Sequence, residues 1–448
     1  MRCFRFLFEI GVCSSIMKYI PLNKDNFFGR LRQNMKAAFS PAAGKLLRHQ
    51  TIDENQPGSI LRDFGIFLNF VRERELKASG INHLLPMDSL GELNAQLAKP
   101  VEIALKRPQQ KSYPNINGLF LLGRALGLIG LQNRGRDKIF VLETEALSAW
   151  HELNATERYF TLLEGWIVRG SPEILGERGG GGWYHHTLSN LVRLFEQIPA
   201  EGLQIEGNPK FRDYGLSFFG LHNIALAEMF GWLEIESGAG QQGRSWIIEK
   251  IGGTGFGSAV VAQLLLTFEA LDFNWGNEEF FGEHDRLAFD TLKPSFGSYF
   301  PEWRGCFRLS PAETIPGVYI FKVSLGKKTW RRIAVSFDDS LDVLSEAILA
   351  AFQFDNDHLH EFSFRDRFGI RERIGHPYLD KRPSTDEFTI GELPLQKGEV
   401  MEYLFDFGDS WRFDVEFENI EPQSAGRKTP QILETHGKAP PQYPDWED

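Results

Sequence analysis

The chain has 448 residues, with 49 Lys and Arg against 60 Asp and Glu, a formal net charge of −11 at pH 7. That balance excludes a uniformly basic nucleic-acid coat, though not a local basic patch. At 42% hydrophobic and 24% charged residues the composition is that of an ordinary soluble globular protein, about two to three domains at roughly 150 residues each.

Three cysteines, Cys3, Cys13 and Cys306, cannot build a disulfide framework and fit a reducing compartment. Residues 1–16 set two arginines before an apolar run, the outline of a signal peptide. Glu9 interrupts that run and no small-x-small cleavage site follows. Met17 therefore reads as the true start, with residues 1–16 an over-called leader. No 18-residue apolar run occurs, so no membrane span is expected, and the location expected is cytoplasmic. Lys18, Lys24, Arg30, Arg32, Lys36, Lys45 and Arg48 face Asp25 alone, which makes residues 18–48 a basic, solvated arm. Leader and arm together are assigned to residues 1–50.

Ile60, Phe64, Phe67, Leu68 and Val71 at helical spacing predict a helix over 59–75. Ser89 followed by Glu92 predicts a capping box and a helix to about Leu97. Residues 115–129 are apolar nearly all round, the mark of a buried helix. Ile139 and Val141 alternate as a strand, with a hairpin tip at 133–137. Helix, helix, then a basic-tipped hairpin is the order of a winged-helix module. Helices at Thr144–Trp150 and Ala155–Val168 complete that module over 51–175. Four consecutive glycines in GERGGGGW (176–183) mark a linker, because such a run loses too much backbone entropy inside an element. The pattern then recurs. Helices at His186–Gln197 and Phe218–Phe230, a hairpin with a Gly-rich tip and a helix at Ser258–Phe268 give a second winged-helix-like module over 184–271. Residues 272–316 read as a connecting segment.

From Gly317 the periodicity changes to two. VYIFKVSL and RRIAVSF flank a GKKTW turn, Asp339 or Ser340 caps a helix to Phe352, and HLHEFSF, MEYLFDFG and WRFDVEFE follow as strands. The fold class expected is mixed. Mainly α, winged-helix-like modules precede an α+β domain over 317–448, which has a mostly antiparallel sheet and one principal helix.

Asp406-Phe407-Gly408 spells the magnesium-binding tripeptide of protein kinases, but no Gly-rich loop, strand lysine or H-R-D loop lies upstream. Asp406 and Asp409 flank a Gly408 turn, where turn chemistry accounts for both. Joined to Asp355, Asp357 and His358 they would form an acidic ligand pocket, with a divalent cation as the cofactor such a set could hold. His358, His360 and His376 could serve zinc, yet no cysteine pair or HExxH accompanies them. GGTGFG (252–257) follows an apparent strand and precedes a helix, the setting of a dinucleotide turn. Ser258 stands where the third glycine is due, so a glycine-rich helix entry is expected. Cys306 in its Arg-Gly-Cys loop offers too little to be a nucleophile.

Asn133, Arg134, Arg136 and Lys138 on the wing, with Arg124 on the preceding helix, are the candidate DNA contacts. Against them, that helix offers only Asn117 and Arg124 as polar groups, and a base-reading helix needs a polar face. Residues 318–448 carry 16 basic and 25 acidic side chains, a net −9 unsuited to phosphates. Lys327, Lys328, Arg331 and Arg332 alternate over both faces of a hairpin.

Six ordered motifs carry a family resemblance: WRRIAVSF (330–337), LDVLSEAILAAFQFDNDHLHEF (341–362), HPYLD (376–380), IGELPL (390–395), MEYLFDFGDSWRFDVEFE (401–418) and GKAPPQY (437–443). They resemble the plasmid pRiA4b ORF-3-like family, whose most recognisable run is matched by Tyr403, Asp406, Gly408, Asp409 and Trp411. Tyr403 and Trp411 accordingly join the candidate pocket. SYPNINGLFLLGRALGL resembles the helical extension of longer members. His360 stands where that family leads one to expect an aromatic such as Tyr, which makes it a poor candidate for a shared role. The resemblance implies an α+β domain associated with mobile elements and no established activity. The function expected is a non-catalytic interaction or binding protein. The alternatives are a DNA-binding regulator and a metal-dependent enzyme centred on His358, Asp406 and Asp409. Its expected partners are a protein, a second copy of the chain, or DNA through the N-terminal half, with no membrane.

Overall fold

The computed structural model describes residues 41–135, 137–177, 183–205, 216–270, 287–311, 313–379, 382–422 and 428–443. The Met17 start, most of the basic arm, the wing residue Arg136 and the four-glycine linker lie outside the described residues. Among the described residues no helix is long and apolar enough to cross a membrane.

The described residues build two large hydrophobic cores, one from residues 43–309 and one from 319–417, with Val318, Ile320 and Ala334 a small separate cluster. The first begins where solvated arm was expected. Helix α1 (Pro41–His49) buries Ala43 and Leu47 and packs against a later helix, with Arg48 over the Tyr299 ring. Helix α2 (Ile60–Glu73) buries the expected apolar face. Helix α3 (Met87–Gln96) starts two residues before Ser89, because Pro86 sits at the N-cap and the Ser89 hydroxyl bonds back to Pro86 O at 2.8 Å. No capping box forms there, and Glu92 pairs with Arg74 instead.

Helix α4 (Pro114–Ala125) is buried along its whole length. It stops earlier than its apolar run suggests. Gly127 adopts φ 63°, Leu128 N–H returns to Gly123 O at 3.1 Å, and the chain leaves as a strand. Strands β1 (Ile129–Arg134) and β2 (Asp137–Leu142) form the hairpin expected as a wing, followed by helices α5 (Thr144–Glu152) and α6 (Ala155–Ile167).

The second half runs through α7 (Trp183–Gln197), β3 (Leu203–Gln204), α8 (Leu216–Phe219), α9 (Leu221–Met229), β4 (Leu233–Ser237), β5 (Ile248–Gly253) and α10 (Gly255–Ala270). The helix expected over 218–230 is divided at Gly220, whose φ is 75°. Both halves repeat one cap. Gly231 has φ 77°, Trp232 N–H returns to Ala227 O at 2.8 Å, and a strand begins two residues after the glycine, at 233 as at 129. An edge segment joins each hairpin, through Lys77 opposite Ile139 and Leu203 opposite Ile251. Helices α4 and α9 pack on each other so closely that a Cβ at Gly118 would lie 2.7 Å from Leu226 Cγ.

Strand β5 is antiparallel to both neighbours, which removes the parallel βαβ setting that a dinucleotide turn requires. The glycines after it serve packing: a Cβ at Gly257 would lie 2.5 Å from the Trp232 backbone. The segment expected to be a connection adds to the first core. Strands β6 (Ala288–Phe289) and β7 (Phe307–Arg308) pair, with the short helix α11 (Lys293–Phe296) between them. Trp303 stacks on Phe160 at 4.3 Å, with Phe296 and Phe300 against the same ring.

The C-terminal domain is the expected α+β unit. Its strands are β8 (Val318–Leu325), β9 (Thr329–Ser336), β10 (His360–Arg365), β11 (Arg371–Gly375), β12 (Val400–Phe405), β13 (Trp411–Glu421) and β14 (Gln431–His436). They form one sheet in the order β11-β10-β12-β13-β8-β9-β14, every pairing antiparallel. Helix α12 (Leu341–Phe352), capped by the Ser340 hydroxyl, packs on β9 and β14 and buries its apolar residues in the second core. Arg331 turns inward and donates to Ala351 O, while Arg332 turns outward to Glu418 and Glu434, so the basic cluster is split as alternation requires.

The two units meet at the wing. Asn133 Nδ2 donates to Lys397 O at 2.8 Å, Gln396 Nε2 to Leu131 O at 2.7 Å, and Lys138 pairs with Glu399 at 2.8 Å. From the other side Phe368 and Ile370, on the β10–β11 hairpin, pack against the first core.

Candidate functional site

The candidate site lies at one end of the C-terminal sheet, where β12 gives way to β13 and the chain from α12 enters β10. The turn 406–410 holds two non-glycine residues in the left-handed region, Asp406 (φ 56°) and Ser410 (φ 55°), an uncommon conformation. Asp406 supports its own turn. Its Oδ1 accepts from Gly408 N–H at 2.8 Å and Asp409 N–H at 3.4 Å, and its amide donates to Leu359 O at 3.0 Å. The last of these bonds ties the turn to the loop carrying Asp355, Asp357 and His358.

Asp406 Oδ2 then lies 3.5 Å from His358 Nε2, with Asp357 Oδ1 3.8 Å from the same nitrogen. Tyr443 closes the group. Its hydroxyl donates to Asp357 Oδ2 at 2.5 Å and sits 3.2 Å from His358 Nε2. That bond holds the Asp357 carboxyl below its ordinary range and pushes the Tyr443 hydroxyl up to about 12. Gln442 locks the segment in place, donating to Asp357 Oδ1 at 3.0 Å and accepting from Asp355 N–H at 2.5 Å. Phe407 and Tyr443 are exposed beside the carboxylates.

Of the sequence candidates, Asp355, Asp357, His358 and Asp406 come together. Asp409 is exposed on the turn. Trp411 stands edge-on to Phe354 with ring centres 5.0 Å apart, and its indole N–H has no hydrogen-bond partner. Tyr403 does not join them. It is fully buried beneath the sheet, because inward positions of β12 face the helix, and its hydroxyl meets Ser345 Oγ at 2.6 Å. Among the described residues no group of three or more His, Cys, Asp or Glu is placed to hold an ion. The carboxylate oxygens are engaged otherwise, Asp406 Oδ1 by its turn and both Asp357 oxygens by Tyr443 and Gln442.

The histidines also part company. His358 faces the acidic group, whereas His360 and His376 meet elsewhere with rings 5.0 Å apart. His360, set aside in the sequence, is the hub of a buried network. Its Nε2 lies 3.1 Å from Thr385 Oγ1 and 3.4 Å from Asp342 Oδ1, and its Nδ1 3.3 Å from Ser345 Oγ. Asp342 is held below the usual carboxylate range by that histidine. The order carboxylate, imidazole, serine resembles a hydrolase relay, but Ser345 is fully buried, so no substrate reaches its hydroxyl. The network stitches α12 to the sheet. Gln442 and Tyr443 were legible only as part of a motif; their contact with residues 85 or more positions earlier carries no sequence signal.

The candidate DNA contacts among the described residues are otherwise employed. Arg124 is 5% exposed and donates to Ile129 O, and Asn117 is buried on the same helix. A helix in the core presents no face to a groove, which corrects the assignment of Arg124. Arg134 pairs with Glu75 and Lys138 with Glu399.

Residues 318–443 match the family described as plasmid pRiA4b ORF-3-like protein. An uncharacterised protein of Sinorhizobium fredii is 33% identical over 114 residues, which are 25% of this chain; the chain spans 57% of that relative's length. A crystal structure of a protein of unknown function from Methanosarcina mazei Go1 aligns at 28% identity and a TM-score of 0.26, covering 29% of this chain and 74% of that one. The ordered motifs, the single principal helix on an antiparallel sheet and the family match agree over the same residues, and the C-terminal domain, residues 318–443, is a match to the plasmid pRiA4b ORF-3-like family.

Proposed function

We propose that this chain is a non-catalytic binding protein. Its N-terminal body consists of two winged-helix-like units, and its C-terminal domain takes a cationic segment of a protein partner at the acidic end of its sheet. The repeated caps at Gly127 and Gly231 and the paired edge segments support the winged-helix-like description. The third helices, α4 and α9, pack on each other in the core, and the first wing braces the C-terminal domain. The units act as scaffold.

One observation carries the binding reading. Asp355, Asp357 and Asp406 cluster with no Lys or Arg of the described residues at ion-pair distance, whereas Glu361, Glu387, Glu399, Glu402, Glu418 and Glu434 of the same domain each have one. Carboxylates fixed beside exposed aromatic faces suit an ammonium or guanidinium group, through charge-assisted hydrogen bonds and cation–π contact. The free thiol of Cys306 is in keeping with an intracellular protein. Association with mobile elements is proposed on the family likeness alone.

The test is calorimetric titration of the full chain with an oligo-arginine peptide. Binding is expected to weaken as salt rises, and Asp357→Asn with Asp406→Asn should weaken it at least tenfold. Equal binding by the double variant, or none at low salt, would overturn the reading.

A further inference from the structure

A cavity of about 110 Å³ lies between the helical body and the C-terminal domain. That is below the roughly 300–1,000 Å³ of sites for drug-sized ligands, and suits a small ion. Three arginines reach its wall, Arg124 from helix α4 and Arg365 and Arg367 from the β10–β11 hairpin. Each is bonded only to a neutral backbone carbonyl: Arg124 Nη1 to Ile129 O at 2.5 Å, Arg365 Nη1 to Gly369 O at 2.7 Å, and Arg367 Nη1 to Ser310 O at 3.0 Å. Among the described residues none has a carboxylate at ion-pair distance. A guanidinium has five N–H donors, so most of this donor capacity is unused.

A buried cation without a counter-ion is costly. Desolvation duly pulls Arg124 down to about 10. Asp366, Glu143 and Glu399 offset part of that loss through space, but no wall carboxylate is paired with Arg124 among the described residues. Glu399 is taken by Lys138, Glu173 Oε2 accepts from Arg371 N–H, and Asp366 Oδ1 accepts from Phe368 and Ile370 N–H. Glu143 makes no ion pair with Arg124 or Arg367; burial pushes its carboxyl up and the two guanidiniums partly offset that push. His83, held at φ 49°, also lines the cavity; burial and the nearby Lys138, Arg365 and Arg124 lower it to about 4. At neutral pH it brings a hydrogen bond without a charge. Gly369 lets the backbone lie against the guanidinium, since a Cβ there would sit 2.9 Å from Arg124 Nη2.

We propose that this interdomain cavity binds a small oxyanion, phosphate or a short carboxylate, between Arg124 of the helical body and Arg365 and Arg367 of the C-terminal domain. Because the donors come from both units, the anion stabilises their docking, and its occupancy raises apparent stability by mass action. This site is separate from the acidic sheet end, and its failure would leave that reading intact.

The experiment is calorimetry and thermal unfolding of the full chain with inorganic phosphate, at ionic strength held constant with sodium chloride. A saturable heat and a rise in Tm that follows it are expected, with binding at least tenfold weaker in Arg124→Gln and in Arg367→Gln. Arg367 is only half-buried, so its variant carries the test if Arg124→Gln does not fold. Malonate in place of phosphate separates the sources: the tighter of the two identifies the anion class. No saturable binding of either anion, or unchanged affinity in Arg367→Gln, would overturn the proposal.

Discussion

Trp166→Ala is expected to cost about 3–5 kcal/mol of stability, the range for removing a large aromatic from a packed core. Trp166 belongs to helix α6 of the first half, but its surroundings belong to the second. It stacks on Phe230 with ring centres 5.3 Å apart, lies 5.1 Å from Trp232, and donates its indole N–H to Asn223 Oδ1 at 2.9 Å. Truncation opens a cavity and leaves a buried amide oxygen without its donor. Since one core spans both halves, the whole body from α1 to β7 should lose stability as a unit. Urea unfolding followed by tryptophan fluorescence and by helical circular dichroism checks this. Coincident transitions, both shifted, are expected; a shift confined to part of the helical signal would mean two independent modules.

Two buried groups should pull stability in opposite directions between about pH 4.5 and 6.5, so that their effects nearly cancel there. Burial lowers His222 from its ordinary 6.5 to about 4. In the unfolded chain it takes up a proton below 6.5 while the folded chain resists, so stability falls as pH drops from 6.5 toward 4. Burial raises Glu164 from 4.5 to about 7, against the opposing effect of Arg169. Its protonated form is favoured in the fold, so the stability it contributes is complete below 4.5 and is lost as pH rises through 7. Each shift corresponds to about 3 kcal/mol at 1.36 kcal/mol per pH unit, as an order of magnitude. Denaturant midpoints from pH 4 to 9 are the measurement. His222→Gln should uncover the loss of stability that Glu164 causes as pH rises from 4.5 to 7, and Glu164→Gln the loss that His222 causes as pH falls from 6.5 to 4. Variant profiles that match that of the intact chain would contradict the assignment.

Much of the C-terminal domain was legible because period-two alternation and a single apolar helix leave few alternatives. The Asp406 turn and the loop of Asp357 and His358 were legible as chemistry, but not as neighbours. Their meeting depends on β10 lying beside β12, a long-range pairing with no local signature. Tyr403 misled because a motif residue reads alike whether it faces a ligand or a core; alternation along VMEYLF places it inward with Met401 and Phe405. In the N-terminal half the element order was readable, and the caps at Gly127 and Gly231 repeat it. Which face of α4 would be covered was signalled by its nearly all-round apolarity, and that signal outweighs the basic wing. Residues 287–309 lacked periodicity because their aromatics fill gaps between helices belonging to other segments, a role with no repeat of its own.

The central claim is that the protein binds through the acidic sheet end while its winged-helix-like units serve as scaffold. Fluorescence anisotropy of the full chain, run in parallel at one low salt concentration with labelled oligo-arginine peptide and labelled duplex DNA, tests it most directly. The account predicts saturable peptide binding and no DNA binding. Saturable DNA binding, and none of the peptide, would contradict it.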